Sequence, residues 1–154
     1  MMKRVWMSLG MVTLIWLVNF AGSSRPHVTF RVHVQTESRG LSSKQAFPVR
    51  LTHPDEAIMV NAIPEVSESD ISDVESWPSD DEGLVLRVHF APHGAQALSN
   101  ATYQDQGKVM VVFLNGRLIY APIIDMNISN GTLTIPRGVL PVEVAELETM
   151  LKKR

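Results

Sequence analysis

The sequence predicts an α+β domain: a mainly antiparallel sheet with two helices packed on it, preceded by an N-terminal signal or anchor helix. Three observations predict this. Two-residue alternation recurs in short runs such as HVTFRVHVQ (27–35) and GLVLRVHF (83–90), the pattern of half-buried strands. Asn115-Gly116 splits the apolar stretch VVFLNGRLIYAPII, and Asn-Gly signals a two-residue hairpin because both turn positions need positive φ. Two segments that open on proline, at Pro92 and at about Pro141, carry apolar residues at helical spacing.

The elements follow in order. Met1-Met2-Lys3-Arg4 is a basic start, VWMSLGMVTLIWLVNFA an uncharged apolar run, and Ala21-Gly22-Ser23 an exit of small residues. Together they read as an export signal over residues 1–23, cleaved after Ser23 or after Ala21. The alternative is retention, with residues 5–21 as a membrane anchor, although the run is slightly short of the about 20 residues a span needs. The folded domain is expected over 27–154. In its first strand Val28, Phe30, Val32 and Val34 face one way, and Thr29, Arg31, His33 and Gln35 face the polar way. TESRGLSSKQA reads as a loop, FPVRL as a strand whose Pro48 favours an edge, and AIMVNAI as a third strand.

From Glu65 to Glu82 the chain carries Glu65, Glu68, Asp70, Asp73, Glu75, Asp80, Asp81 and Glu82 and no basic residue. The spacing does not fit a regular calcium loop, so the expectation is a solvated acidic connector with at most one helical turn at Glu68–Val74. Leu84, Leu86, Val88 and Phe90 then mark a strand, and Ala95, Leu98 and Ala101 or Thr102 the stripe of a helix. KVMVVFL is apolar on both faces, which predicts a central strand covered on both sides. RLIYAPII is its hairpin partner; Pro122 cannot donate to a ladder and marks an edge or a bulge. Asn130-Gly131 is a second, looser turn before the strand TLTI. Leu140, Val144, Leu147 and Leu151 give the closing helix its apolar face.

Composition excludes more than it assigns. With no cysteine there is no disulfide, thiolate metal site or cysteine nucleophile. Formal net charge is −2, and loss of residues 1–23 would remove two basic groups and make it −4, which disfavours nucleic acid as a partner. None of His27, His33, His53, His89 and His93 has a helical metal-binding spacing, and no phosphate loop, dinucleotide fingerprint or nucleophile elbow is present. His33 and His89 are read as exposed strand residues that would neighbour each other only if their strands pair. Trp77 is read as a packing anchor. No catalytic, cofactor-binding or metal residues are assigned.

The ordered set of segments is similar to a known family. FLNGRLIYAPII resembles the LDGxVxSAPxI segment in the large periplasmic domain of SecD, a membrane subunit of the bacterial protein-export machinery. LRVHFAPHGAQALSNAT resembles its strand and helix, with Gly94, Ala95 and Thr102 at the matching places. DMNISNGTLTI, GVLPVEVAELETMLK and IPEVSESDISDV resemble its xxIxGGxxxI turn, its closing helix and its xPxLTGxDLxDA lead-in. The resemblance covers about 62–152 and implies the head-subdomain fold and a periplasmic or cell-envelope location. Two family glycines are replaced by Asn130 and Arg137, the helix-capping threonine by Leu140, and the family alanine by Val144. The expectation is therefore a stand-alone, diverged, non-enzymatic head module without cofactor. It would bind protein or unfolded polypeptide, with a candidate edge-strand surface at Tyr120, Ala121 and Pro122. Asn115, Gly116, Asn130 and Gly131 are expected to be structural turns. The alternative is a membrane-anchored accessory of the protein-export translocon, touching the membrane only through the N-terminal segment.

Overall fold

The computed structural model describes residues 28–37 and 45–154. The expected signal or anchor helix, His27 and most of the polar loop after the first strand lie outside the described residues. The elements are β1 (Phe30–Val34), β2 (Ala46–Arg50), β3 (Ala57–Asn61), β4 (Val66–Ser67), one 3-10 turn (Glu68–Asp70) and β5 (Ile71–Pro78). They continue with β6 (Leu84–Phe90), α1 (Pro92–Gln104), β7 (Met110–Leu114), β8 (Arg117–Tyr120), β9 (Thr132–Val139) and α2 (Pro141–Lys152). Every ladder is antiparallel, as the class requires. The strands divide among three sheets, ordered β4-β1-β7-β8, β2-β3 and β5-β6-β9.

The main core lies between the four-stranded and three-stranded sheets. Phe30, Val32 and Val34 of β1 and Val112 and Leu114 of β7 meet Leu86, Val88 and Phe90 of β6 and Leu133 and Ile135 of β9. The rings of Phe30 and Phe90 stand 6.1 Å apart across it. Leu98 and Ala101 of α1 and Val144 and Leu147 of α2 complete the cluster.

The other face of the four-stranded sheet is covered too. The β2–β3 hairpin lays Val49, Leu51, Ile58 and Val60 against Val111, with Phe47, Val109, Phe113 and Leu118 around them. That second cover is why β7 is apolar on both faces. It also corrects the reading of His33. The side chain is buried, at 4% exposure, rather than exposed on a polar face. Its Nδ1 donates to the Asn61 carbonyl at 2.7 Å, and its ring meets the rings of Phe47 and Phe113 nearly edge-on. Burial pushes its pKa below the ordinary value, partly offset by the Asn61 bond, while the Arg31 charge pushes it down further. β1 and β6 lie in different sheets, so His33 and His89 are not strand neighbours.

The acidic stretch is a second correction. The expected connector contains β4, the 3-10 turn and the eight-residue β5. A bulge between Ile71 and Asp73 explains the difference. It inserts Ser72, so Ile71 and Val74, three apart, both sit on the core side opposite Phe90 and Val88. A spacing of three mimics a helical turn. The carboxylates of Asp73 and Glu75 stand on the outer face, where Glu75 meets Arg87 at 3.2 Å. Trp77 lies on that face too, 38% exposed, with the Arg87 guanidinium 4.8 Å from its ring centre. It packs against a cation at the surface instead of anchoring the core.

Helix α1 is held by close approaches at its first turn. A Cβ on Gly94 would stand 2.6 Å from the Asp70 Cβ. A Cβ on Gly131, whose φ is +67°, would stand 2.7 Å from the Ala95 Cβ. Further along, the buried Thr102 hydroxyl donates to the Leu98 carbonyl at 2.8 Å and accepts the Ile128 N–H at 2.9 Å. The residues that carry the family resemblance thus meet one another as packing contacts.

Helix α2 starts without a capping side chain at Leu140. Only the reciprocal half of a capping box is made: the Glu143 carboxylate accepts the Leu140 backbone N–H at 2.8 Å. The same buried carboxylate takes two bonds from Arg117, at 2.6 and 3.3 Å. Arg117 also donates to the Gly138 carbonyl at 3.0 Å, tying the start of β8 to the end of β9 and the start of α2.

Candidate functional site

The site is built from the β7–β8 hairpin outward. Asn115 and Gly116 both have positive φ, 51° and 76°, which places the right-handed twist of the flanking strands in one two-residue turn. Asn115 does more than turn the chain. Its backbone N–H donates to the Thr29 carbonyl at 2.8 Å, its Oδ1 accepts the Thr29 N–H at 3.1 Å, and its Nδ2 donates to Glu146 at 2.9 Å. The hairpin tip is thereby fixed to β1 and to α2.

β8 then runs out along the edge of its sheet. A bulge falls between its pairs Phe113–Leu118 and Val112–Tyr120, leaving Ile119 as the inserted residue. The strand ends at Tyr120, just before Ala121-Pro122. Pairing resumes beyond the proline, where the Met110 N–H donates to the Pro122 carbonyl at 2.9 Å and Val109 bridges Ile123. Pro122 therefore sits in the interruption and contributes an acceptor.

On its outer side β8 has no strand partner among the described residues, and neither does the outer side of β9. The two edges are joined at one end by Arg117 and Gly138. A cleft of about 470 Å³ opens beside them. Leu118, Ile119, Tyr120 and Ala121 form one wall, Pro136 and Arg137 another, and Leu51, Thr52 and His53 of the β2–β3 turn a third. Arg137 is paired with Asp81 at 3.1 Å. Beyond Tyr120 a smaller cavity of about 180 Å³ lies between the sheets, lined mainly by Met110, Tyr120, Pro122, Ile124, Ile128 and Leu133. Asp125 is at its rim. Burial raises the Tyr120 phenol pKa, and the Asp125 charge raises it further.

Tyr120, Ala121 and Pro122 are thus brought together at this edge, Tyr120 lining both spaces. Asn130 and Gly131 are placed elsewhere, against α1. The Asn130 side chain accepts the Thr132 N–H at 3.1 Å, a local turn bond that a glycine could not make. Sequence reasoning missed Leu51–His53, Pro136 and Arg137, which come from distant segments. Pro136 was a usable signal, since proline within a strand marks an edge. Among the described residues no three His, Asp or Glu side chains converge as a metal site, and no helix is long and apolar enough to cross a membrane.

Comparison with known proteins bears on this geometry. The family described as SecDF, P1 head subdomain, matches residues 44–153, so β1 lies outside the match and the β2–β3 hairpin inside it. A solved structure described as "Structure and function of a membrane component SecDF that enhances protein export" has a TM-score of 0.57 and 17% identity, covering 81% of this chain and 62% of that one. Another, "Crystal structure of SecDF in Super-membrane-facing form", has a TM-score of 0.56 and 20% identity, covering 81% of this chain and 18% of that one. At these identities the likeness is one of fold, and the chain spans less than two thirds of either structure. No curated protein sequence matches the chain.

Proposed function

The chain belongs to the SecDF P1 head subdomain family, and on that premise we propose that it is an exported, non-enzymatic module that binds protein or unfolded polypeptide in the cell envelope. The observation that carries this reading is the unpaired edge of β8 facing the unpaired edge of β9 beside an open cleft. An extended polypeptide offers the N–H and C=O row that such an edge lacks. Ladder bonds of that kind are independent of sequence, which suits a partner recognised while unfolded. Leu118, Ile119 and Ala121 give the incoming strand an apolar floor, and Arg117 closes one end. The basic start, apolar run and small-residue exit of residues 1–23 support an extracytoplasmic address.

Site-specific photocrosslinking in intact cells tests the binding. A photoreactive residue replacing Arg137, on the exposed cleft wall, should capture polypeptides, and one replacing Glu148, on α2, should not. Equal yields at both positions would refute the edge reading. A reporter fused after Pro26 should be active only outside the cytoplasm. A second reading, retention through residues 5–21 as an accessory of the translocon, is favoured by the apolar run itself. The intact mass of the mature protein separates the two: a chain that keeps residues 1–23 is the anchored form.

A further inference from the structure

The two spaces beside β8 differ in chemistry, and the strand pleat assigns them to alternate residues of anything that pairs there. Leu118 and Ala121 belong to the cluster under the β2–β3 hairpin, whereas Ile119 and Tyr120 pack on the main core. Side chains of an added strand alternate with a period of two. One set would point into the cleft beside Leu51, Thr52 and His53. The other would point between the sheets, toward the cavity beyond Tyr120.

That cavity is selective. Its volume of about 180 Å³ resembles the ~150 Å³ apolar cavity that accepts a benzene-sized group. Most of its wall is apolar, and of its hydroxyls that of Thr102 is engaged with Leu98 and Ile128 and that of Thr132 with His89. A large apolar side chain would fill it with little loss of hydration. The charge beside it is acidic. Asp125 is the one charged residue in the lining and is exposed. Among the described residues it makes no ion pair, whereas Lys108, whose carbonyl accepts the Ile124 N–H, is paired with Asp105 at 2.6 Å.

We infer that a polypeptide bound at this edge is read through one anchor, an apolar side chain seated in the cavity beyond Tyr120 with a basic residue two positions away, on the same face, meeting Asp125. The inference rests on the strand-addition reading above and narrows its partner to extended segments in which a large apolar residue stands two positions from a lysine or arginine, so that both side chains point to the same face. A fully polar segment would leave the apolar wall unfilled, and one with an acidic residue two positions from its apolar one would set like charges together at Asp125.

The test uses the purified full chain and fluorescently labelled peptides in an extended Thr/Ser host. One carries Leu and Lys two residues apart, a second Leu and Glu at the same spacing, a third Ser and Lys at the same spacing. A fourth is the Leu–Lys peptide N-methylated at alternate amides, which removes its ladder donors. The Leu–Lys peptide should bind about ten- to a hundred-fold more tightly than Ser–Lys, the range expected for burying one leucine. It should bind several-fold more tightly than Leu–Glu, and Asp125→Lys should reverse that second preference. N-methylation should abolish binding. Equal binding of the three unmodified peptides, with loss on N-methylation, would leave strand addition standing and overturn the anchor. Binding that survives N-methylation, or no binding by any peptide, would overturn strand addition and the anchor with it.

Discussion

Gly131→Ala should be clearly more damaging than Gly116→Ala. Both glycines have positive φ, +67° and +76°, so each alanine carries a left-handed backbone cost of about 1–2 kcal/mol. For Gly116 the cost ends there, because nothing lies within 4 Å of the added Cβ. At Gly131 the new methyl would stand 2.7 Å from the Ala95 Cβ, and α1 cannot retreat freely because Gly94 already abuts Asp70. Overpacking of this kind adds about 1–3 kcal/mol. The expected loss is therefore about 2–5 kcal/mol for Gly131→Ala against about 1–2 for Gly116→Ala. This reverses the sequence expectation that the second turn is the looser one. Urea unfolding of both variants measures the difference. A double-mutant cycle with Ala95→Gly isolates the clash: that change alone costs about 1 kcal/mol in a helix, so in the Gly131→Ala background it should give a net recovery of about 0–2 kcal/mol and a coupling energy of about 1–3 kcal/mol. Equal losses at the two glycines, with additive behaviour against Ala95→Gly, would refute the reasoning.

Arg117→Met leaves the Glu143 carboxylate, 7% exposed, without its guanidinium partner. The loss should be about 1–3 kcal/mol, below the ~3–5 of a fully buried pair because the Arg117 side chain is 43% exposed, and adding Glu143→Gln should recover part of it in urea melts. His33 has a folded pKa below its ordinary 6.5, so the unfolded chain binds the proton more readily. Its stabilising contribution is complete above that value and is lost as pH falls below it; His33→Phe should flatten the stability–pH slope just below pH 6.5. Glu65, whose pKa is raised by burial, then by the Asp105 charge and against the Asn61 bond, acts with the opposite sign and is common to both proteins in that comparison. Adding millimolar calcium or chelator should barely move the melting midpoint, because the carboxylates of β5 point to solvent and Asp81 is paired with Arg137. A large calcium shift abolished by Asp80→Asn with Asp81→Asn would show a cation site there.

The sequence by itself determined the local features. The positive φ pair at Asn115-Gly116, the strand faces of β1 and β6, the prolines at the first turns of α1 and α2 and the double-sided burial of β7 follow from residues within one segment. The motif residues Asp70, Gly94, Ala95, Thr102 and Gly131 were legible as a family likeness, but their physical role appeared only when they met in space. Tertiary structure decided everything that depends on another segment. Alternation in β1 separates two faces without saying that the β2–β3 hairpin will cover the second, so His33 reads as exposed and is buried. The Ile71–Asp73 bulge turns a period of two into a spacing of three, so β5 reads as a connector. The cleft beside β8 draws on residues 51–53, 81, 118–121 and 136–137, and no sequence window contains them together. A period reports how one chain segment divides its side chains, whereas burial, and hence a site, is set by what packs against each side.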